Sequence, residues 1–185
     1  MRIIAGRFRS RQLKTLRGAH TRPTSDRLRE TLFNVLGAGV AGAVAADCYA
    51  GSGAVGLEAL SRGAEWVYFL ENHRPAVKVI GENLKRLEIE TGAEVLAFDV
   101  LAGLGELERR GVRLDVVFLD PPYQAAEEYE RALGWLGRSG LLAPEAWVVA
   151  EHSRRGTLKE TYGALARIRA LRQGDAVLSF FRPSD

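Results

Sequence analysis

Short apolar runs alternating with amphipathic stretches predict an α/β fold, a seven-stranded, mostly parallel sheet with helices on both faces. Three observations predict it. The runs at 44–48, 66–70, 94–98, 112–119 and 147–151 have strand length, and segments of helical periodicity separate them. Three glycines, Gly51, Gly53 and Gly56, turn the chain sharply between the first run and a helix. Successive runs end at or beside an acid (Asp47, Glu71, Asp99, Asp120), which gathers carboxylates at one edge of a parallel sheet, where such sheets bind ligands.

In chain order, residues 1–23 form a basic N-terminal unit and residues 24–185 the sheet domain. Arg2-Ile3-Ile4-Ala5 and Gln12-Leu13-Lys14, joined through Gly6, read as a small β-hairpin. On extended backbone Arg7, Arg9 and Arg11 share one face, an array of guanidiniums suited to successive phosphates of a nucleic-acid strand. The first 36 residues hold nine Arg or Lys against Asp26 and Glu30, a local charge of +7 in a chain of net charge +3. That asymmetry is an electrostatic footprint for a polyanion. Beyond Pro23, with Thr24 or Ser25 as N-cap, Leu28, Leu32, Val35 and Leu36 mark an amphipathic helix that Gly37 ends. Its other side carries Arg22, Arg27 and Arg29, where they can face a phosphate or a cofactor. Leu57 to Arg62 follows the glycine turn as a helix. Pro75 opens a helix with Val77, Ile80, Leu84 and Leu87, Leu101 to Arg109 forms another, and Tyr129, Leu133 and Leu136 mark the last. Ala166 to Leu171 and Ala176 to Phe181 close the sheet as a hairpin around Gln173-Gly174-Asp175.

No apolar run approaches the ~18 residues needed to cross a bilayer. The single cysteine excludes an internal disulfide framework, and His20, His73 and His152 have no Cys or His neighbours, so no metal is expected. The expectation is a cytoplasmic monomer.

Gly51-x-Gly53-x-x-Gly56 with Glu71 about 20 residues beyond is the pattern of a dinucleotide site. Asp47 argues against a dinucleotide, because a carboxylate at the strand end would lie close to a pyrophosphate. Acid-x-x-x-Gly-x-Gly is instead the order found in S-adenosylmethionine (SAM) sites, with the acid beside the methionine end of the cofactor. Glu71 is then placed to accept from a ribose diol and Asp99 from the adenine amine. A nicotinamide oxidoreductase ranks below this reading, since no histidine or lysine is poised for proton transfer and no separate substrate domain fits the length.

Asp120-Pro121-Pro122-Tyr123 carries the second part of the chemistry. Two prolines cannot continue a central strand, so the chain leaves the sheet as a stiff loop. The Asp120 carboxylate and the Pro121 carbonyl are acceptors, and Tyr123 supplies an aromatic face, a set that fits a planar base bearing an NH₂ group. Gripping the two amine hydrogens favours a pyramidal nitrogen whose lone pair can attack a sulfonium methyl in line. Methylating a pyrimidine carbon needs a cysteine nucleophile, and Cys48 lies inside a strand as a small buried apolar residue. Nitrogen methylation fits better.

Residues 47–56, Asp120-Pro121-Pro122-Tyr123, Arg2-Ile3-Ile4-Ala5-Gly6 and Thr21-Arg22-Pro23-Thr24-Ser25-Asp26-Arg27 together resemble the bacterial RsmD-type small-subunit ribosomal RNA guanine-N2 methyltransferases, over nearly the whole chain. The Asp-Pro-Pro-Tyr corner is shared with adenine-N6 and cytosine-N4 enzymes; the two N-terminal motifs select the family. The resemblance implies a Rossmann-like class I SAM-dependent methyltransferase fold and transfer to N2 of a guanine in 16S rRNA, position 966, within the small subunit or its assembly intermediate, with S-adenosylhomocysteine (SAH) as product. It implies cofactor contacts at Asp47, Gly51, Gly53, Glu71 and Asp99, with Tyr49, Asn72, Val100 and Asp120 assigned to the same site. Base contacts fall to Asp120, Pro121 and Tyr123, and RNA contacts to Arg7, Arg9, Arg11, Arg22 and Arg27. Cys48-Tyr49 departs from the Leu-Phe usual after the first acid. Two other readings stay open on the residues alone: a methyltransferase for another amine, such as N6 of adenine, and a non-catalytic RNA-binding assembly factor.

Overall fold

In a computed structural model, which describes residues 1–16, 26–121 and 126–184, eight strands form one sheet. Strands β1 (Val44–Cys48), β2 (Trp66–Leu70), β3 (Ala93–Leu96), β4 (Leu114–Leu119) and β5 (Leu142–Ser153) run parallel, while β6 (Thr161–Tyr162), β7 (Leu165–Gln173) and β8 (Ala176–Pro183) are joined by antiparallel pairings. The order is β3-β2-β1-β4-β5-β8-β7-β6. Its direction of progression reverses between β1 and β4, which opens a crevice at the carboxyl ends of these strands.

Side chains on successive strand residues point to opposite faces, so each central strand feeds two cores. Ala45, Val67, Val116 and Phe118 pack with helices α1 (Asp26–Leu36), α2 (Ala54–Ser61) and α3 (Arg74–Arg86) through Leu28, Leu32, Leu57 and Ile80. Ala46, Leu70, Val117 and Val148 pack with α4 (Val100–Arg109) and α5 (Ala126–Leu136) through Leu104, Leu107, Leu133 and Leu136. Burial on both faces explains why these strands read as unbroken apolar runs.

The structure departs from the sequence expectation in four places. The sheet has eight strands rather than seven, because β6 is only two residues long and carries no periodicity. β3 stops at Leu96, and Phe98, expected within the strand, is 45% exposed. Arg29 does not share the outer side of α1 with the exposed Arg27; it is fully buried, and its Nη2 donates to the Arg2 carbonyl at 2.8 Å and to Asp26 Oδ1 at 2.9 Å. Burial holds its pKa below the usual arginine value, with Asp26 and Glu58 opposing that shift. The N-terminal unit is the fourth. In place of two strands it has the single antiparallel bridge Arg2↔Gln12, and residues 7–10 form turns between positive-φ Gly6 and Ser10. Strand alternation therefore does not align Arg7, Arg9 and Arg11, although all three are exposed.

The two arms are still hydrogen-bonded to each other, Ile3 N–H donating to the Arg11 carbonyl at 3.0 Å, Ser10 N–H to the Ile3 carbonyl at 2.9 Å and Leu13 N–H to the Met1 carbonyl at 3.0 Å, and helix α2 takes donors that this pairing leaves over. The Ile4 and Ala5 amides donate to the Glu58 carboxylate at 2.7 and 3.0 Å, Arg7 N–H to the Ser61 carbonyl at 2.7 Å, and Phe8 N–H to Ser61 Oγ at 2.9 Å. Ile3, Phe8 and Leu13 enter the core shared with α1–α3. Glu58, fully buried, also accepts from Arg62 Nε at 2.8 Å, so its charge is satisfied by three donors.

Replacing Glu58 by Ala leaves the Ile4 and Ala5 amides without their acceptor and loosens the adjoining segment held on Ser61. We expect Glu58→Ala to cost about 2–4 kcal/mol in urea unfolding. Amides 4, 5, 7 and 8 should lose hydrogen-exchange protection at lower urea than those of β1 and β4; unchanged protection at these positions would contradict the docking described.

Candidate active site

The glycine corner begins where β1 ends. Tyr49, Gly51 and Gly53 all adopt positive φ (61°, 56° and 77°), a conformation that costs glycine little and tyrosine more. Gly56 is required for space, since a Cβ there would overlap the Phe69 ring beneath the corner. Across the loop, Asp47 Oδ2 accepts from Gly56 N–H at 2.8 Å. Asp47 is 3% exposed, and desolvation pushes its pKa up to about 7 against the opposing Gly56 hydrogen bond, with Glu71 adding to the rise. The carboxyl expected beside a ligand is thus first a clamp on the corner.

Glu71 follows β2 and meets the same loop. Its Oε2 accepts from Gly51 N–H and its Oε1 from His73 N–H, both at 2.8 Å. Each carboxylate oxygen can accept a second bond, so the side chain is oriented and can still take a pair of hydroxyls. Asp99 is the N-cap of α4, with Oδ1 accepting from Leu101 N–H at 3.1 Å. A cleft between these strand ends is lined by Tyr49, Leu70, Glu71, Asn72, Phe98, Asp99 and Val100. Five of the seven were assigned from sequence. Leu70 and Phe98 were missed because both read as strand interior; Phe98 instead leaves the sheet after Leu96 and turns an apolar ring toward the cleft.

A carboxylate able to take a diol and an apolar plate line one cleft beside the glycine corner, a set that suits a nucleoside. Gly51 and Gly53 let a ligand approach the backbone, Glu71 suits a ribose, and Asp99 with Phe98 and Val100 suits an adenine edge and face.

Asp120 stands directly past β4, and Pro121 beside it is buried. In register, Phe118 pairs with Val149 and Leu119 with Ala150, which brings Asp120 alongside Glu151 of β5. Asp47 pairs with Phe118 one strand over, so Asp120 lies two residues beyond the level of the corner clamp. Tyr123 and Arg22 lie outside the described residues, as do Pro122, Thr24 and Ser25. Helix α5, which follows the proline loop, is tied to both sides of the crevice. Tyr49 O–H donates to Glu128 Oε2 at 2.9 Å, and Tyr129 O–H donates to the Glu151 carbonyl at 2.7 Å. Burial and the Glu128 bond raise the Tyr49 pKa, so it stays a donor. Neither glutamate carried a sequence signal, since both contacts span distant segments.

Cys48 is fully buried, and desolvation raises its thiol well above the ordinary range, with Asp47 adding to it. It supplies no thiolate nucleophile. The exposed Arg7, Arg9, Arg11 and Arg27 are not part of the cleft; Arg11 reaches the Arg86 carbonyl at the end of α3, and Arg7 stacks on the Phe8 ring. Among the described residues no helix is long and apolar enough to cross a membrane.

Comparison with known proteins agrees with this geometry. The family model described as Conserved hypothetical protein 95 matches residues 1–182. The Bacillus subtilis protein YlbH is 37% identical over 91% of both chains. Ribosomal RNA small subunit methyltransferase D of Escherichia coli is 38% identical over 82% of this chain and 74% of its own length. The solved structure of Escherichia coli yhhF superposes with a TM-score of 0.87 at 33% identity, covering 100% of this chain and 98% of the other. At the level of fold alone, SMU.776 complexed with SAH reaches a TM-score of 0.66 at 12% identity, over 84% of this chain and 48% of its own. The architecture is that of class I methyltransferases.

The raised pKa of Asp47 has a stability consequence. Near pH 4 and below, the group is protonated both folded and unfolded, and above about pH 7 it is ionised in both. Between those values only the unfolded chain ionises, so the Asp47 contribution to stability is lost as pH rises. We expect Asp47→Asn, which keeps an oxygen acceptor for Gly56 N–H, to gain stability relative to the wild type from pH 4 to pH 7 and to level off above. Urea unfolding across that range measures the difference, and a constant offset would contradict a buried carboxyl titrating near neutrality.

Proposed function

The chain belongs to the Conserved hypothetical protein 95 family, the RsmD-type rRNA methyltransferases, and from that premise we propose that it transfers a methyl group from SAM to N2 of a guanine in 16S rRNA, position 966. The observation that carries this reading is the juxtaposition at one sheet edge of the cleft lined by Tyr49, Glu71, Phe98 and Asp99 and the Asp120-Pro121 corner. The substrate in this reading is the small subunit or its assembly intermediate, and the enzyme acts in the cytoplasm as a monomer without a metal.

Asp47, Tyr49, Gly51, Gly53, Glu71, Asn72, Asp99 and Val100 would hold the cofactor, with Asp120 at its reactive end. Bound SAM supplies a sulfonium methyl open to in-line attack. Asp120 and the Pro121 carbonyl accept the two hydrogens of the guanine amine, and Tyr123 stacks on the base. This grip orients N2 and withdraws its lone pair from the ring; most of the acceleration comes from that orientation and from local charge. Transfer of that methyl from the sulfur to N2 would leave the amine a proton to shed, and Asp120 would accept it. The N-terminal unit, residues 1–23, supplies phosphate contacts through Arg7, Arg9, Arg11 and Arg22, joined by Arg27 of α1. As they no longer share a strand face, they act as separate charges and set affinity rather than sequence preference.

We expect Asp120→Ala to lower transfer to undermodified small subunits about 100- to 1,000-fold, with subunit binding unchanged. An unaltered rate would remove Asp120 from the chemistry, and a wild type that binds without transferring would favour the assembly-factor reading. Replacing Arg7, Arg9 and Arg11 together by Ala should make the dependence of log affinity on log salt shallower by about 0.7–0.9 for each phosphate no longer neutralised. An unchanged slope would move the RNA-binding face elsewhere.

A further inference from the structure

We propose that Glu151 selects the base by accepting the N1–H of the target guanine; this rests on the guanine-N2 reading above. The Asp120-Pro121 corner grips an amine, and amines stand on guanine, adenine and cytosine alike. What differs is the ring atom beside the amine. Guanine presents N1–H, a donor, whereas adenine presents N1 and cytosine N3, each a bare lone pair. A second, anionic acceptor next to the amine site therefore favours guanine by a charge-assisted hydrogen bond and opposes the other two by lone-pair repulsion.

Glu151 has the position such an acceptor needs. It lies two residues before the end of β5 and one residue past the last β4–β5 pair, Leu119↔Ala150, as Asp120 does on its own strand's side, and adjacent parallel strands stand about 4.8 Å apart. Val149 and Ala150 belong to opposite cores, so alternation directs Glu151 to the face of Phe118 and Val149, over which α1 packs through Phe33. The residue is 7% exposed. Its backbone is fixed by pairing with Leu178 of β8 and by the Tyr129 hydroxyl on its carbonyl. A carboxylate on a fixed backbone and shielded from water discriminates more sharply than a mobile, solvated one.

The test compares methyl transfer to small subunits reconstituted with 16S rRNA whose target guanine is intact or replaced by 2-aminopurine, which keeps the exocyclic amine and lacks N1–H. We expect wild-type kcat/KM to favour guanine, and E151A to reduce that preference about 10- to 100-fold, through loss on the guanine substrate and relief of the 2-aminopurine one. E151Q, an isostere that keeps one acceptor oxygen and loses the charge, should reduce it part of the way. A purely structural role would lower both substrates together and leave their ratio at the wild-type value; that result in E151Q overturns the assignment. A wild-type product identified as N6-methyladenosine overturns the guanine reading and this inference with it, whereas N2-methylguanosine with an unchanged ratio overturns this inference alone.

Discussion

The bond from Gly56 N–H to the buried Asp47 carboxyl holds the first corner of the sheet, and the other features of the crevice depend on it. It fixes where α2 begins relative to β1, and so turns Gly51 N–H toward Glu71. Through α2 it also positions Glu58 and Ser61, which bind the backbone of residues 4–8. One acid thus links the cleft at the strand ends to the basic N-terminal unit. Its cost is a carboxyl group without water, expressed in a pKa near neutrality.

The edge beyond that corner gathers groups that accept rather than donate. Glu71, Asp99 and Asp120 follow β2, β3 and β4, and Glu151 lies two residues before the end of β5, while Cys48, the only thiol, is sealed beneath the loop. Acceptors at this density suit ligands rich in N–H and O–H groups: a ribose, an adenine amine and a base amine. They suit a pyrophosphate poorly, which separates this corner from a dinucleotide site with the same glycine spacing. The bonds from Tyr49 and Tyr129 brace α5 against the two strands flanking β4.

Much of this was legible in the sequence because the central strands are buried on both faces and end at acids. Their apolar runs, the glycine spacing and the two prolines are local signals. The cleft followed from them, since Tyr49, Glu71, Asn72, Asp99 and Val100 all line it. What was not legible depends on partners distant in sequence. Arg29 reads as a helix-surface arginine until Arg2 and Asp26 enclose it. The hairpin pattern of residues 2–14 holds only in part: residues 1–3 pair with 10–13, while Glu58 and Ser61, more than 50 residues away, bind the amides of residues 4, 5 and 8 between them. Phe98 is apolar, and nothing local indicates that its strand stops two residues earlier. Glu151 reads as an ordinary strand end until register sets it beside Asp120.

The most direct measurement is to supply isotopically labelled SAM and undermodified small subunits to the protein, digest the RNA and identify the labelled nucleoside by mass. N2-methylguanosine at a single site is the predicted product. Label in a cytosine carbon or in a ribose would contradict the proposed chemistry, because neither reaction uses an amine held between the Asp120 carboxylate and the Pro121 carbonyl.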